Sequence, residues 1–175
     1  MPRSGEPRAG APVRVSARSL ENAAARYVER HGGTTVRLRT VLRRRMALDP
    51  EADPALREVI ESIIGRYVAS GQIDDAAFAA ARAIRLVRRG VAPAAIRGRL
   101  TGEGLDAVAA MAAVEGDPTL SACVNYVRRR RLGALRAERD DAADLARLGR
   151  AGFPYAVAKR VLAMDLDTLY AVGRE

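Results

Sequence analysis

Residues 70–90, "SGQIDDAAFAAARAIRLVRRG", place two adjacent carboxylates immediately ahead of a strongly basic, apolar-periodic run. Paired acids can hold a metal or share a proton, or one of them can cap a helix. Position favours the cap. Asp74 and Asp75 follow Gly71 and the apolar Ile73 and directly precede a helical pattern. One side chain can accept the unpaired N–H groups of the first turn, while both favour the positive end of the helix. Ile73 stands where a hydrophobic staple would, with Phe78 or its neighbours as the contacts on offer. Nothing elsewhere in the chain marks the further oxygen or imidazole ligands a metal would need. At 100° per residue, Ala76, Ala80, Ala83, Ile84 and Val87 form an apolar stripe, and Phe78, Arg82, Arg85 and Arg89 line the opposite side. The stretch reads as an amphipathic helix with arginines spaced three and four apart on its outer face, an arrangement that can follow a polyanion.

The same punctuation recurs along the chain. Gly32, Gly71, Gly90, Gly104, Gly116, Gly133 and Gly152 close apolar-periodic segments, as residues that accept the left-handed conformation do, and Pro54, Pro93, Pro118 and Pro154 open them. They divide the chain into nine helices: roughly 19–30, 34–45, 54–69, 75–89, 93–101, 106–115, 118–132, 140–150 and 154–164. "RLTGEGLDAVAAMAAV" (99–114) is echoed by "RLGRAGFPYAVAKRVL" (147–162), matching Leu100 with Leu148, Gly104 with Gly152 and Leu105 with Phe153. The spacing Leu-x3-Gly-apolar describes a helix that stops, turns on glycine and tucks an apolar residue under the next helix. The basic helix ends "YVERHG", "RLVRRG" and "YVRRRRLG" are a second echo. Short helices in threes bury little alone, so neighbouring units are expected to stack. The expectation is an all-α, elongated, curved stack of three three-helix repeats, 19–71, 72–116 and 117–164. A flexible basic tail over 1–18 precedes them and a C-terminal tail over 165–175 follows.

Composition agrees with helices. The hydrophobic share is 49%, aromatics make up only 4%, and there is no Trp, while Ala, Leu and Arg abound. Thirty basic against 21 acidic residues give a net charge of +9, and every base but Lys159 is arginine, whose fork matches phosphate and carboxylate. An anionic partner is the leading inference. The first 18 residues lack the apolar core of a signal peptide, and no run is long enough to span a bilayer, which points to a cytoplasmic protein without membrane contact. Cys123 and His31, each the only one of its kind, make neither a disulfide framework nor a zinc set.

The candidate anion contacts are Arg82, Arg85 and Arg89, then Arg97 and Arg99, then Arg128, Arg129 and Arg130. Asp74, Asp75, Gly104 and Gly152 are read as structural caps. The run 128–131 is less informative than it looks. Consecutive helical residues fan around the axis, Arg131 falls near the stripe of Leu120, Val124 and Val127, and a basic helix end also suits the dipole. Arg43 to Arg45 closes another helix in the same manner. Without a binding role, such arginines would form a solvated face paired with neighbouring acids.

"GQIDDAAFAAARAIRLVRRGVAPAAIRGRLTGEGLD" (71–106) resembles the signature of the RecX family, regulators of the RecA recombinase. That signature has an acid pair, an aromatic three residues on, a basic stretch, Gly, then Ile-x3-Leu-x3-Gly. "LARLGRAGFPYAVAKRVL" (145–162) resembles the family's closing repeat and "ENAAARYVERHGGTTVRLRTVLRRR" (21–45) its opening one, so the resemblance covers about 20–162. One departure is clear. The family often begins its first short helix with the capping box Ser-x2-Glu-Leu-x2-Lys-Leu, whereas here Thr34 leads to Arg37 and only the apolar frame of Leu38 and Leu42 survives. The resemblance implies tandem three-helix repeats and a monomeric regulator, without catalysis or cofactor, in recombination, DNA repair and the SOS response. It would lie in the groove of the RecA filament on single-stranded DNA and inhibit ATP hydrolysis and strand exchange. Contact with single- or double-stranded DNA phosphates is compatible with the charge.

A helix-turn-helix transcription factor on duplex DNA is the rival reading. The adenine readers Asn and Gln occur only at Asn22, Gln72 and Asn125, none in a convincing recognition helix. The scarcity of aromatics argues against a dedicated single-strand stacking platform. An enzyme would need a phosphate loop, a ligand cluster or a base beside a nucleophile, and the sequence offers none.

Overall fold

The computed structural model describes residues 14–49 and 51–172, and it turns the Leu-x3-Gly-apolar spacing into a helix stop. Gly104 is left-handed (φ +73°), and the next N–H, of Leu105, donates 2.9 Å back to the carbonyl of Leu100. Gly152 (φ +89°) repeats this, with the Phe153 N–H 3.1 Å from the Leu148 carbonyl. Gly90 (φ +76°) does the same, with the Val91 N–H 3.0 Å from the carbonyl of Leu86. These are Schellman closures, in which the six-to-one bond ends the helix and the residue after glycine turns into the core. Leu105 and Phe153 are accordingly buried.

Among the described residues ten helices and no strand form: α1 (Ala17–His31), α2 (Thr35–Met46), α3 (Leu56–Ala69), α4 (Asp75–Arg88), α5 (Pro93–Gly102), α6 (Ala107–Ala112), α7 (Pro118–Arg130), α8 (Asp141–Arg150), α9 (Tyr155–Leu162) and α10 (Leu166–Ala171). The fold is all-α. Nine helices follow the sequence reading, and the tenth lies in the segment read as a C-terminal tail. There Asp165 accepts the Thr168 N–H at 2.8 Å and Leu169 is buried, so local capping and one apolar anchor suffice for a helix of six residues. The expected basic tail over 1–13 lies outside the described residues. Positions 14–18 do not behave as tail: Ser16 and Ser19 form a reciprocal capping box that starts α1, and Val15 is buried.

The helices gather into two units that divide between Asp74 and Asp75. In the first, Leu20, Ala24, Leu38, Leu42, Ile60, Ile63 and Ile73 from α1–α3 and the following turn make the core. The buried Asp49 accepts N–H groups from Val15 (2.9 Å) and Glu51 (3.1 Å), tying the start of α1 to the α2–α3 connection. On the surface Arg39 grips Glu61 through two nitrogens, at 2.8 and 2.7 Å. That guanidinium holds the Glu61 carboxyl below its ordinary range.

In the second unit one hydrophobic cluster runs through α4–α10, so the expected second and third helix triplets share a core. One local expectation is corrected. The buried stripe of α4 is Ala79, Ala83, Leu86 and Val87, whereas Ala76 is exposed and Ala80 and Ile84 are only half-buried. The larger Leu86, left out of the sequence stripe, turns inward and rotates the helix. Ile73 belongs to the core of the first unit, and Phe78 packs against that of the second.

Helix α7 departs from the glycine rule as well. Its left-handed residue is Arg131 (φ 52°), with the Leu132 N–H 3.0 Å from the Val127 carbonyl, and Gly133 instead opens a short 3-10 turn, Gly133–Leu135. The buried Asp144 of α8 pins that turn by accepting the Gly133 N–H at 2.8 Å and Arg136 Nη1 at 2.9 Å. Nearby, α4 and α7 touch backbone to backbone. A Cβ on Gly90 would lie 2.6 Å from the Tyr126 nitrogen and 2.7 Å from its Cα. Asn125 Nδ2 donates to the Val87 carbonyl at 3.3 Å across the same crossing.

Gly90→Ala combines this clash with a positive φ and should lower stability by about 3 kcal/mol. Arg131→Gly removes the left-handed penalty and should raise stability by about 0.5–1 kcal/mol. Urea unfolding followed by circular dichroism measures both; equal stability of Gly90→Ala and the unaltered chain would refute the close crossing.

Candidate anionic-partner interface

Arginines near the end of α4 are stabilised by the negative end of the helix dipole, and solvent keeps their charge available. Arg85, Arg88 and Arg89 are exposed there, and Arg85 and Arg89, four residues apart, share a face. Arg82 is different. Its guanidinium bonds to the Glu103 carboxylate at the C-terminal cap of α5, and the two side chains are only 26% and 25% exposed. The row expected to face outward thus splits: Arg82 clasps α4 to α5, while Arg85 and Arg89 point to solvent. The rotation that buries Leu86 is the cause, since it carries Arg82 toward the α5 side.

On α5, Arg97 and Arg99 are both exposed but flank the buried line of Ile96 and Leu100 from opposite sides, being 200° apart. At the end of α7 the arginines fan out. Arg128 lies 4.8 Å over the ring of Tyr170, Arg130 lies 5.8 Å from the ring centre of Tyr126, and Arg129 is exposed. Tyr126 in turn meets Phe153 edge-on at 5.6 Å, which connects the Arg130 stack to the buried turn between α8 and α9. Arg131, expected near the apolar stripe, is exposed because the chain has already left the helix. Among the described residues, no ion pair engages Arg85, Arg89, Arg97, Arg99 or Arg129.

Asp75 is the first residue of α4 and Asp74 precedes it, at the place of a cap. Four other aspartates perform that office visibly: Asp106, Asp117, Asp140 and Asp165 each accept N–H groups of the helix they precede. Thr34 caps α2 through the Arg37 N–H at 3.3 Å without a reciprocal partner. Burial pushes the Cys123 thiol up to about 12, which keeps it protonated and unreactive at neutral pH. Among the described residues no group of three or more His, Cys, Asp and Glu side chains gathers, and no helix is long and apolar enough to cross a membrane.

The sequence reading missed Glu103, Asp144 and the two tyrosine stacks. Glu103 carried a faint signal, since an acid at the negative end of a helix asks for a cation nearby. It also missed the line Arg18, Asn22, Arg26 and Arg30, all exposed on α1 at intervals of four.

Schellman-closed short helices, aspartate caps and outward arginines define the class: an all-helical, arginine-rich protein organised by glycine turns. No family model matches the chain. A similar protein is "Regulatory protein RecX" of Myxococcus xanthus (strain DK1622), 33% identical over 165 residues, which cover 86% of this chain and 88% of that protein. The chain belongs to the RecX family.

The Arg82–Glu103 clasp should show a coupling of about 1 kcal/mol in a double-mutant cycle of Arg82→Ala and Glu103→Gln, read by urea unfolding. Strict additivity of the two substitutions would mean that the pair contributes nothing.

Proposed function

We propose that this chain is a regulator of the RecA recombinase, without catalysis of its own. In this reading it binds as a monomer in the groove of the filament on single-stranded DNA and suppresses ATP hydrolysis and strand exchange in the cytoplasm. Family membership carries the proposal, through a relative that bears the name of a regulatory protein across nearly its whole length. Physical chemistry adds the kind of contact. A chain of net charge +9 with exposed arginines outside any ion pair suits a partner lined with carboxylates or phosphates.

Within that reading the arginines divide by role. Arg85 and Arg89 are the leading contacts, with Arg97, Arg99 and Arg129 next. Arg82 acts through the clasp with Glu103, while Arg128 and Arg130 are steadied by tyrosine rings and present their remaining donors. The helix-turn-helix alternative gains no support from Asn125, whose amide is engaged by the Val87 carbonyl. The triplets α1–α3, α4–α6 and α7–α9 fit the repeat plan that the family resemblance implies.

DNA-dependent ATP hydrolysis by the recombinase should slow as this protein is added. Arg85→Ala with Arg89→Ala should raise the concentration for half-inhibition about ten-fold while helicity is unchanged. Unaltered ATP turnover at saturating protein would sink the proposal.

A further inference from the structure

The helix pair α8–α9 carries a surface that the signature arginines do not account for. From Leu145 to Met164 the sequence contains no acid and four cations, Arg147, Arg150, Lys159 and Arg160, and all four are exposed. The flanking acids lie at the far ends of the pair. Asp141 pairs with Arg139 and the buried Asp144 with Arg136 in the first turn of α8, and Asp165 and Asp167 belong to α10 and its cap. In the middle stands Tyr155, the most exposed aromatic ring among the described residues at 68%.

Packing explains why this ring points out. Phe153, two residues earlier, is buried and locked edge-on against Tyr126, which fixes the turn and leaves the first turn of α9 facing solvent. Lys159 is four residues beyond Tyr155, on the same helical face, and Arg160 adjoins it. Arg147 and Arg150, three apart, share a face of α8 just before the turn. Tyr126 and Tyr170 already carry arginines on their rings, whereas Tyr155 has no ring or cation contact among the described residues.

We infer that α8–α9 is a contact site for single-stranded nucleic acid, with Tyr155 stacking on one unpaired base and Lys159, Arg160, Arg147 and Arg150 holding the adjoining phosphates. A lone exposed ring amid cations fits a single strand better than a duplex, whose bases offer no free face, and better than an acidic protein, which would need the cations alone. One ring makes a single stacking point rather than a platform, consistent with the shortage of aromatics. The inference does not use the arginines of α4, α5 and α7, and its test needs no recombinase.

The test is fluorescence anisotropy of a labelled oligothymidylate titrated with the full chain at low salt. Tyr155→Ala should weaken binding about ten-fold and Tyr155→Phe should leave it nearly unchanged, because the ring face makes the contact. Lys159→Gln with Arg160→Gln should reduce the slope of log affinity against log salt by about 1.4, the loss of two phosphate contacts. An abasic strand of equal length should bind the unaltered protein as poorly as oligothymidylate binds Tyr155→Ala. Equal affinity of the unaltered protein for abasic strand and oligothymidylate, undiminished binding by Tyr155→Ala, or tighter binding of duplex would each overturn the inference. Circular dichroism checks that the exposed substitutions leave the helices intact.

Discussion

Short helices cannot bury enough apolar surface singly, so everything in this molecule depends on how each one stops. The six-to-one hydrogen bond after a left-handed residue is that stop. It satisfies a terminal carbonyl and, in the same step, aims the following apolar side chain back into the core. At Gly104 the closure delivers Leu105, at Gly152 it delivers Phe153, and α7 reaches the same geometry at Arg131 without glycine. Helix direction changes within two residues, and the exposed faces of successive helices follow from those changes.

Much of this was legible in sequence because the closure leaves a fixed spacing. Leu-x3-Gly-apolar names the accepting carbonyl, the turning residue and the buried one at three helix ends, and the other glycines and the prolines let nine helices be drawn within a few residues of their ends. The failures have physical causes. At α4 a stripe of alanines looked equivalent on several faces, and Leu86 decided the rotation through volume that the periodicity did not weigh. At α10 one buried leucine and one aspartate cap were too faint to register as a pattern.

The candidate site was legible only as composition. A row of arginines at helical spacing looks uniform, yet Arg82 is clasped by Glu103, Arg128 and Arg130 rest on tyrosine rings, and Arg85 and Arg89 stand free of ion pairs. The Arg82–Glu103 and Arg128–Tyr170 contacts join residues 21 and 42 positions apart, which local spacing does not encode, whereas the Arg130 stack on Tyr126 lies within one helical turn. Charge therefore set only the expectation of an anionic partner, and packing sorts which guanidinium groups stand outside ion pairs among the described residues.

Cys123 has a consequence of a different kind. It is the one thiol in the chain, sits fully buried in α7, and is kept protonated by its surroundings. A sulfhydryl reagent can reach it only after α7 separates from its neighbours, so the rate of its chemical labelling is a clock for the rare opening of the second unit.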